Sequence, residues 1–243
     1  MGKVLAVTSG KGGVGKSTVS VGLGFAFCKK GNRVLLVDMD EGLRCLDLML
    51  GMDNATVFDL ADILAGKDIE DAVYTCNENE SLSLIPAPAK PDSVDPEEFR
   101  KFAIKVRELF DVVIFDFPAG INLSLYGALP EDTRFLTVAV PDPVSVRDAA
   151  AVGSQLGTLS FKSRLVINRF EYKQTLKFKH KNVDGIIDSA SIRLIGIVPE
   201  SEELTLLSLR HRLKRRGKAM AAFMRIADRI DGEKIHLPML KKI

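Results

Sequence analysis

Gly10 to Thr18 reads GKGGVGKST; it follows the β-branched run VLAVTS from Val4 and leads into the helical run STVSVGLGFAFCKK. A strand, a glycine-rich turn and a helix beginning at Lys-Ser form the context in which GxxxxGK[ST] is a phosphate-binding loop. Gly10, Gly12, Gly13 and Gly15 let the backbone curl until its N–H groups face phosphate oxygens, and the helix places its positive end beneath them. In that pattern Lys16 reaches the outer phosphates and Ser17 binds magnesium, with Val14 and Thr18 completing the loop. A glycine-rich turn without a ligand does not need the Lys-Ser pair at the helix start.

Outward from this loop, short apolar runs alternate with stretches of helical length. Strands are expected at VLAVTS, at RVLLVD ending on Asp38, at LSLIP from Leu82 and at DVVIFDF from Asp111. RFLTVAV from Arg134, SRLVIN to Asn168 and IRLIGIV from Ile192 bring the expected total to seven. Helices are expected over 16–30, 57–65, 95–109, 144–157 and 218–230. The alternation predicts an α/β fold, the three-layer arrangement of P-loop NTPases, with a mostly parallel central sheet flanked by helices. PAPAKPDSVDP, Pro86 to Pro96, reads as a rigid surface connection, so residues 1–232 count as one domain and 233–243 as a short tail.

A phosphate loop needs acids to hold magnesium and its waters. Val112 to Phe115 form a buried run that delivers Asp116 to the C-terminal edge of the sheet, and VLLVD delivers Asp38 to the same edge. Both carboxylates are expected at the metal, directly or through water; the alternative for each is a strand-end cap.

The loop KGGVGKST, Lys11 to Thr18, resembles the deviant-Walker (MinD/ParA) ATPase family, whose mark is a second lysine near the start of the loop, here Lys11. The similarity continues in order through Val34–Gly51, Val113–Ile121 (VIFDFPAGI), Pro141–Ala149 (PDPVSVRDA), Val166–Phe170 (VINRF) and Leu194–Glu203 (LIGIVPESEE). GLRCLDL favours the septum-positioning branch. The resemblance implies ATP and Mg2+ as cofactors and an ATP-dependent homodimer in which Lys11 of each copy reaches the other's phosphates. It implies further that Asp40 orients the attacking water and that the Pro118–Gly120 turn senses the terminal phosphate. By the same resemblance Asn168 is expected to recognise the base, and Pro199 and Glu200 to line the nucleoside. Arg169 and Arg147 are each read either as nucleotide-facing or as salt-bridge formers. Cys45 stands where the family usually has asparagine, and FPAGIN departs from its usual turn.

The 243 residues are 46% apolar, enough to bury a core, and no run reaches the length of a membrane-spanning helix. The chain is expected to be cytoplasmic, with peripheral attachment to the inner face of the cell membrane as one option. Cys28, Cys45 and Cys76 form no CxxC pair, so no iron-sulfur cluster is expected. The formal charge of +2 conceals an acidic first two thirds and a basic last third. Two segments compete for an anionic partner. EKIHLPMLKKI offers apolar side chains and lysines to a membrane, although Pro238 breaks any helix; the alternative reading is a tail that packs on the protein or frays. LRHRLKRRGK, Leu209 to Lys218, offers charge to DNA or is a solvated connection. A protein activator is a further expected partner. DNA partitioning, flagellar positioning and a scaffold with negligible turnover stand beside division-site selection as alternatives.

Overall fold

The computed structural model describes residues 1–53, 55–177 and 182–243. Its strands are Lys3–Ser9 (β1), Val34–Asp38 (β2), Tyr74–Cys76 (β3), Asn79–Ile85 (β4), Val112–Ala119 (β5), Arg134–Ala139 (β6), Ser163–Phe170 (β7) and Leu194–Pro199 (β8). They form one sheet of eight strands in the order β3-β4-β2-β5-β1-β6-β7-β8, parallel except where β3 pairs with β4. The expected seven strands are all present. The eighth, β3, is a three-residue hairpin arm whose polar neighbours hid it from the hydrophobic pattern.

Helices span Lys16–Lys29 (α1), Leu46–Leu50 (α2), Leu60–Leu64 (α3), Pro96–Leu109 (α4), Leu123–Ala128 (α5) and Pro143–Thr158 (α6). Tyr172–Lys177 (α7), Val183–Ala190 (α8), Glu202–Thr205 (α9), Leu207–Arg210 (α10) and Lys218–Ile230 (α11) follow. Three starts show why they fall where they do. Asp95 caps α4 by accepting from the Glu97 and Glu98 amides, Asp142 caps α6 at Ser145, and proline occupies the first helical position of both. Asp59 and Asp62 close a reciprocal capping box that begins α3 at Leu60, three residues later than the sequence suggested.

The strands are apolar on both sides because both faces of the sheet are covered. On one face α1 and α11 pack together, with Gly22 so close to the Phe223 ring that a Cβ would lie 2.2 Å from it. On the other, the aromatic rings of Phe99, Phe115, Phe117, Tyr126 and Phe135 pack edge to face beneath α4, α5 and α6. Pro86 to Pro88 departs from the expected surface connection. These residues are buried, and the Pro86 and Pro88 carbonyls accept from Leu60 and Gly42, which pins the loops after β2 and before α3 to the end of β4.

Two C-terminal segments take definite forms. LRHRLKRRGK is helical to Arg210 and again from Lys218, where α11 begins; between them His211 turns the chain left-handed at φ 52°, Leu213 is buried, and the charged side chains reach solvent. In the tail a single turn, Leu240–Lys242, is the only regular element, and Leu240 and Ile243 pack against the cluster between α6, α8 and β8. Among the described residues, no helix is long and apolar enough to cross a membrane.

Candidate functional site

Parallel strands all end at one edge of the sheet, and there β1 passes directly into the loop and α1. Gly13 and Gly15 adopt φ values of 75° and 88°, left-handed conformations that a side chain resists. At Gly15 space is also absent: a Cβ would lie 2.3 Å from Asn168 Nδ2. At Gly10 a Cβ would meet the Asp148 backbone of α6 at 2.5 Å, whereas Gly12 and Gly13 face open space. The loop is thus tight on the protein side and bare on the other, as a cradle for phosphate must be.

A cavity of about 970 Å3 opens over the loop. Gly12, Gly13, Gly15, Lys16, Ser17 and Thr18 line one part of it, Asp40 another, and Asn168, Arg169, Pro199 and Glu200 the far wall. Residues expected to act together but separated by more than 180 positions therefore share one space. Gly10 and Val14 contribute through packing, since Val14 is buried in the core beside α1. Arg147 is exposed and pairs with neighbouring Asp148 at 3.5 Å, away from the cavity. The sequence reading missed an apolar wall formed by Leu48, Met49 and Leu204, carried on α2 and α9. Helices of four and five residues leave no periodic signal to find.

Two lysines of the loop diverge. Lys16 is buried within the cavity. Lys11 turns outward, its side chain 49% exposed, and rests 3.6 Å from the carboxylate of Asp142 at the start of α6.

Asp38 and Asp116 stand opposite one another in the β2–β5 register, both buried under the loop. Asp38 accepts from the amides of Asp40, Cys45 and Leu46 at 2.9–3.1 Å, which folds the turn bearing Asp40 back toward the cavity. Asp116 accepts from Ser20 Oγ at 2.8 Å and lies within reach of Ser17. Burial, and then the Asp116 charge alongside, push the Asp38 carboxyl up to about 7. Burial raises Asp116 as well, against the opposing pull of Ser17, Lys16 and Ser20. Two buried carboxylates on adjacent strand ends, with Lys16 as the cation acting on Asp116, form a site that gains from a divalent cation. Among the described residues no three His, Cys, Asp or Glu form a metal cage. Magnesium suits such a donor set, because it keeps several waters and takes other ligands from phosphate.

Asn168 donates from Nδ2 to the Val14 carbonyl at 2.8 Å, locking β7 to the loop, while its buried Oδ1 has no partner. An unpaired acceptor costs on the order of 1–3 kcal/mol unless a ligand supplies a donor. An amino group on a purine base is such a donor. Gly120, at φ 105°, donates to the Ser9 carbonyl at 2.9 Å and so ties the Pro118–Gly120 turn to the strand that carries the loop.

A central parallel sheet, a glycine loop entering a helix, and paired acids at neighbouring strand ends define a P-loop nucleotide-binding protein. The family model described as the CobQ/CobB/MinD/ParA nucleotide binding domain matches residues 5–214, and the chain belongs to that family, a group of P-loop ATPases. It is 34% identical to the septum site-determining protein MinD of Bacillus subtilis, over 100% of this chain and 94% of the relative. Among solved structures, that of the MinC:MinD cell division protein complex of Aquifex aeolicus superposes with a TM-score of 0.88 at 32% identity, covering 98% of each chain. The septum site-determining protein MinD complexed with Mg-ADP from Pyrococcus horikoshii superposes at 0.81 with 26% identity, covering 97% of this chain and 100% of that one.

Proposed function

We propose that the protein is an ATP-dependent dimerising ATPase, hydrolysing ATP to ADP and phosphate, that acts as a spatial switch in division-site selection at the membrane. The observation that carries the dimer is the divergence of the two lysines: Lys16 serves its own cavity, while Lys11 points away from it. Apolar side chains stand exposed along the same edge, Leu43 and Ile121 in the loops after β2 and β5, and Leu123 and Val144 in the first turns of α5 and α6. A second copy would cover them and bring its Lys11 to the phosphates. The full-length similarity to septum site-determining proteins supports the cellular role.

In this reading Gly10 to Thr18 cradle ATP, Lys16 and Ser17 meet the outer phosphates and Mg2+, and Asp38 and Asp116 hold the metal's waters. Bound Mg2+ would neutralise phosphate charge and draw off charge developing on the leaving oxygen. Asp40 orients the water, and the Gly120 turn registers the terminal phosphate. Asn168, Arg169, Pro199 and Glu200 enclose the nucleoside. Lys11 from the partner copy supplies a cation present only in the dimer, so turnover and assembly become one variable.

The tail is the proposed membrane element, Leu237 and Met239 being exposed on it beside Lys241 and Lys242. By analogy with the relative seen in a MinC:MinD complex, an activating or effector protein is a proposed partner. The test is cosedimentation of the full chain, and of a truncation after Gly232, with anionic vesicles and with mixed-sequence DNA in ATP and in ADP. ATP-dependent vesicle binding lost on truncation supports the proposal. Salt-sensitive DNA binding retained by the truncation would transfer the cargo role to the basic segment at Leu209–Lys218.

A further inference from the structure

At the opposite edge of the sheet, where β6 and β7 begin, a second cavity of about 480 Å3 opens. The register pairs Phe135 with Ser163 and Leu136 with Arg164, so Arg134, Lys162 and Arg164 meet at one rim, and α11 lays Arg229 across it. Four cations thus surround one space, above an apolar floor that includes Leu136 and Ile195.

Charge is not balanced there. Among the described residues none of the four forms a salt bridge. The three guanidinium groups donate instead to neutral backbone carbonyls: Arg134 to Ile230, Arg164 to Ser163 at 3.2 Å, and Arg229 to Ile195 at 2.6 Å and Ile235 at 3.0 Å. Of the two acids that line the cavity, Asp132 is already held by Arg107 through bonds of 2.9 and 2.8 Å, which leaves Glu131 as the single uncommitted negative charge. Burial, with the neighbouring Arg225, disfavours the charged form of Arg229. Independently, Thr133 lines the same cavity, is only 4% exposed, and keeps a buried hydroxyl with no hydrogen-bond partner. Arg134 and Lys162 keep contact with solvent, but Arg164 and Arg229 are half-buried and the Thr133 hydroxyl is buried without an acceptor; an anion would offset the mutual repulsion of the cations and accept from that hydroxyl.

We propose that this basal cavity binds the phosphate group of a small, multiply charged anion, with Arg134, Lys162, Arg164 and Arg229 as counter-charges and the Thr133 hydroxyl as donor. Its volume lies in the ordinary range for a small-molecule site, about 300–1,000 Å3. Its place at the end of α11, where Arg229 also holds the Ile235 carbonyl, sets it beside the start of the tail and far from the nucleotide loop. The phosphate can come from a free metabolite or from a lipid headgroup.

The full chain, its nucleotide site saturated with Mg-ADP, is titrated calorimetrically with inorganic pyrophosphate, and separately sedimented with vesicles of phosphatidylglycerol or of phosphatidylcholine alone. A free ligand predicts one further pyrophosphate site per chain, weakened at least about 10-fold by Lys162→Ala with Arg164→Ala, since each charge-assisted contact carries more than an ordinary hydrogen bond. A lipid headgroup predicts phosphatidylglycerol binding that the same double substitution reduces. Thr133→Val should weaken whichever probe binds while leaving the unfolding temperature equal or higher, because it removes an unsatisfied buried hydroxyl; that readout separates a binding role from a folding one. Absence of binding by both probes, or binding indifferent to all three substitutions, would overturn the proposal.

Discussion

The loop edge and the C-terminal region are built on different terms. At the loop edge the groups are held by specific bonds: Asn168 by Val14, Asp38 by three amides, Gly120 by Ser9, and Gly13 and Gly15 by backbone angles that few other residues take easily. In the connection Leu209–Gly217 charge is abundant but little of it is fixed. Arg215 and Arg216 reach solvent, and the tail touches the body through Leu240 and Ile243. Chemistry that must place atoms to fractions of an ångström needs the first kind of construction, whereas attraction to a broad anionic partner tolerates the second.

That contrast can be broken most decisively at Lys16. Lys16→Ala should weaken ATP binding by on the order of 100-fold, the loss of two charge-assisted hydrogen bonds, as read by fluorescent-nucleotide titration. If the Lys11 cation acts on the phosphates of a partner copy, as proposed, Lys11→Ala leaves monomeric nucleotide affinity within about 2-fold while abolishing turnover. Equal damage to affinity in both variants would erase the distinction between the two lysines.

Smaller effects sharpen the picture. Gly15→Ala should cost about 1–2 kcal/mol in left-handed strain alone, and more through displacement of Asn168, measured by urea unfolding. Without nucleotide and metal, Asp38 rises from 3.8 to about 7, so the folded state binds more protons between those values. Its stabilisation is then complete below pH 3.8 and is lost as pH rises toward 7, with a slope of at most about 1.4 kcal/mol per pH unit. Asp38→Asn should flatten that slope in unfolding measurements taken across the window. Removing residues 233–243 should lower stability by no more than about 2 kcal/mol, since the two packed side chains, Leu240 and Ile243, stay half-buried.

The same contrast governs what was legible beforehand. The loop, the parallel sheet and the places of Asp38 and Asp116 follow from spacing, because strand, turn and helix there are consecutive in the chain. Asp40, Asn168 and Pro199–Glu200 came from family resemblance, and their shared cavity depends on three separate strand ends meeting. β3 was invisible because three residues carry no alternation. The wall at Leu48, Met49 and Leu204 was hidden on helices too short to show a period. The basal cavity was illegible for a further reason: Arg134, Lys162 and Arg229 are far apart in sequence, and only the register of β6 with β7 and the packing of α11 unite them. A surplus of positive charge in the last third was visible, but its distribution was not.

Sedimentation velocity on the wild-type chain and on Lys11→Ala, with turnover measured on the same samples, tests the central claim most directly. With Mg-ATP the wild type is expected to sediment as a dimer and hydrolyse; with Mg-ADP, or with Lys11→Ala, it is expected to remain monomeric and inactive. A wild-type monomer that turns over ATP at full rate would contradict the shared-lysine dimer.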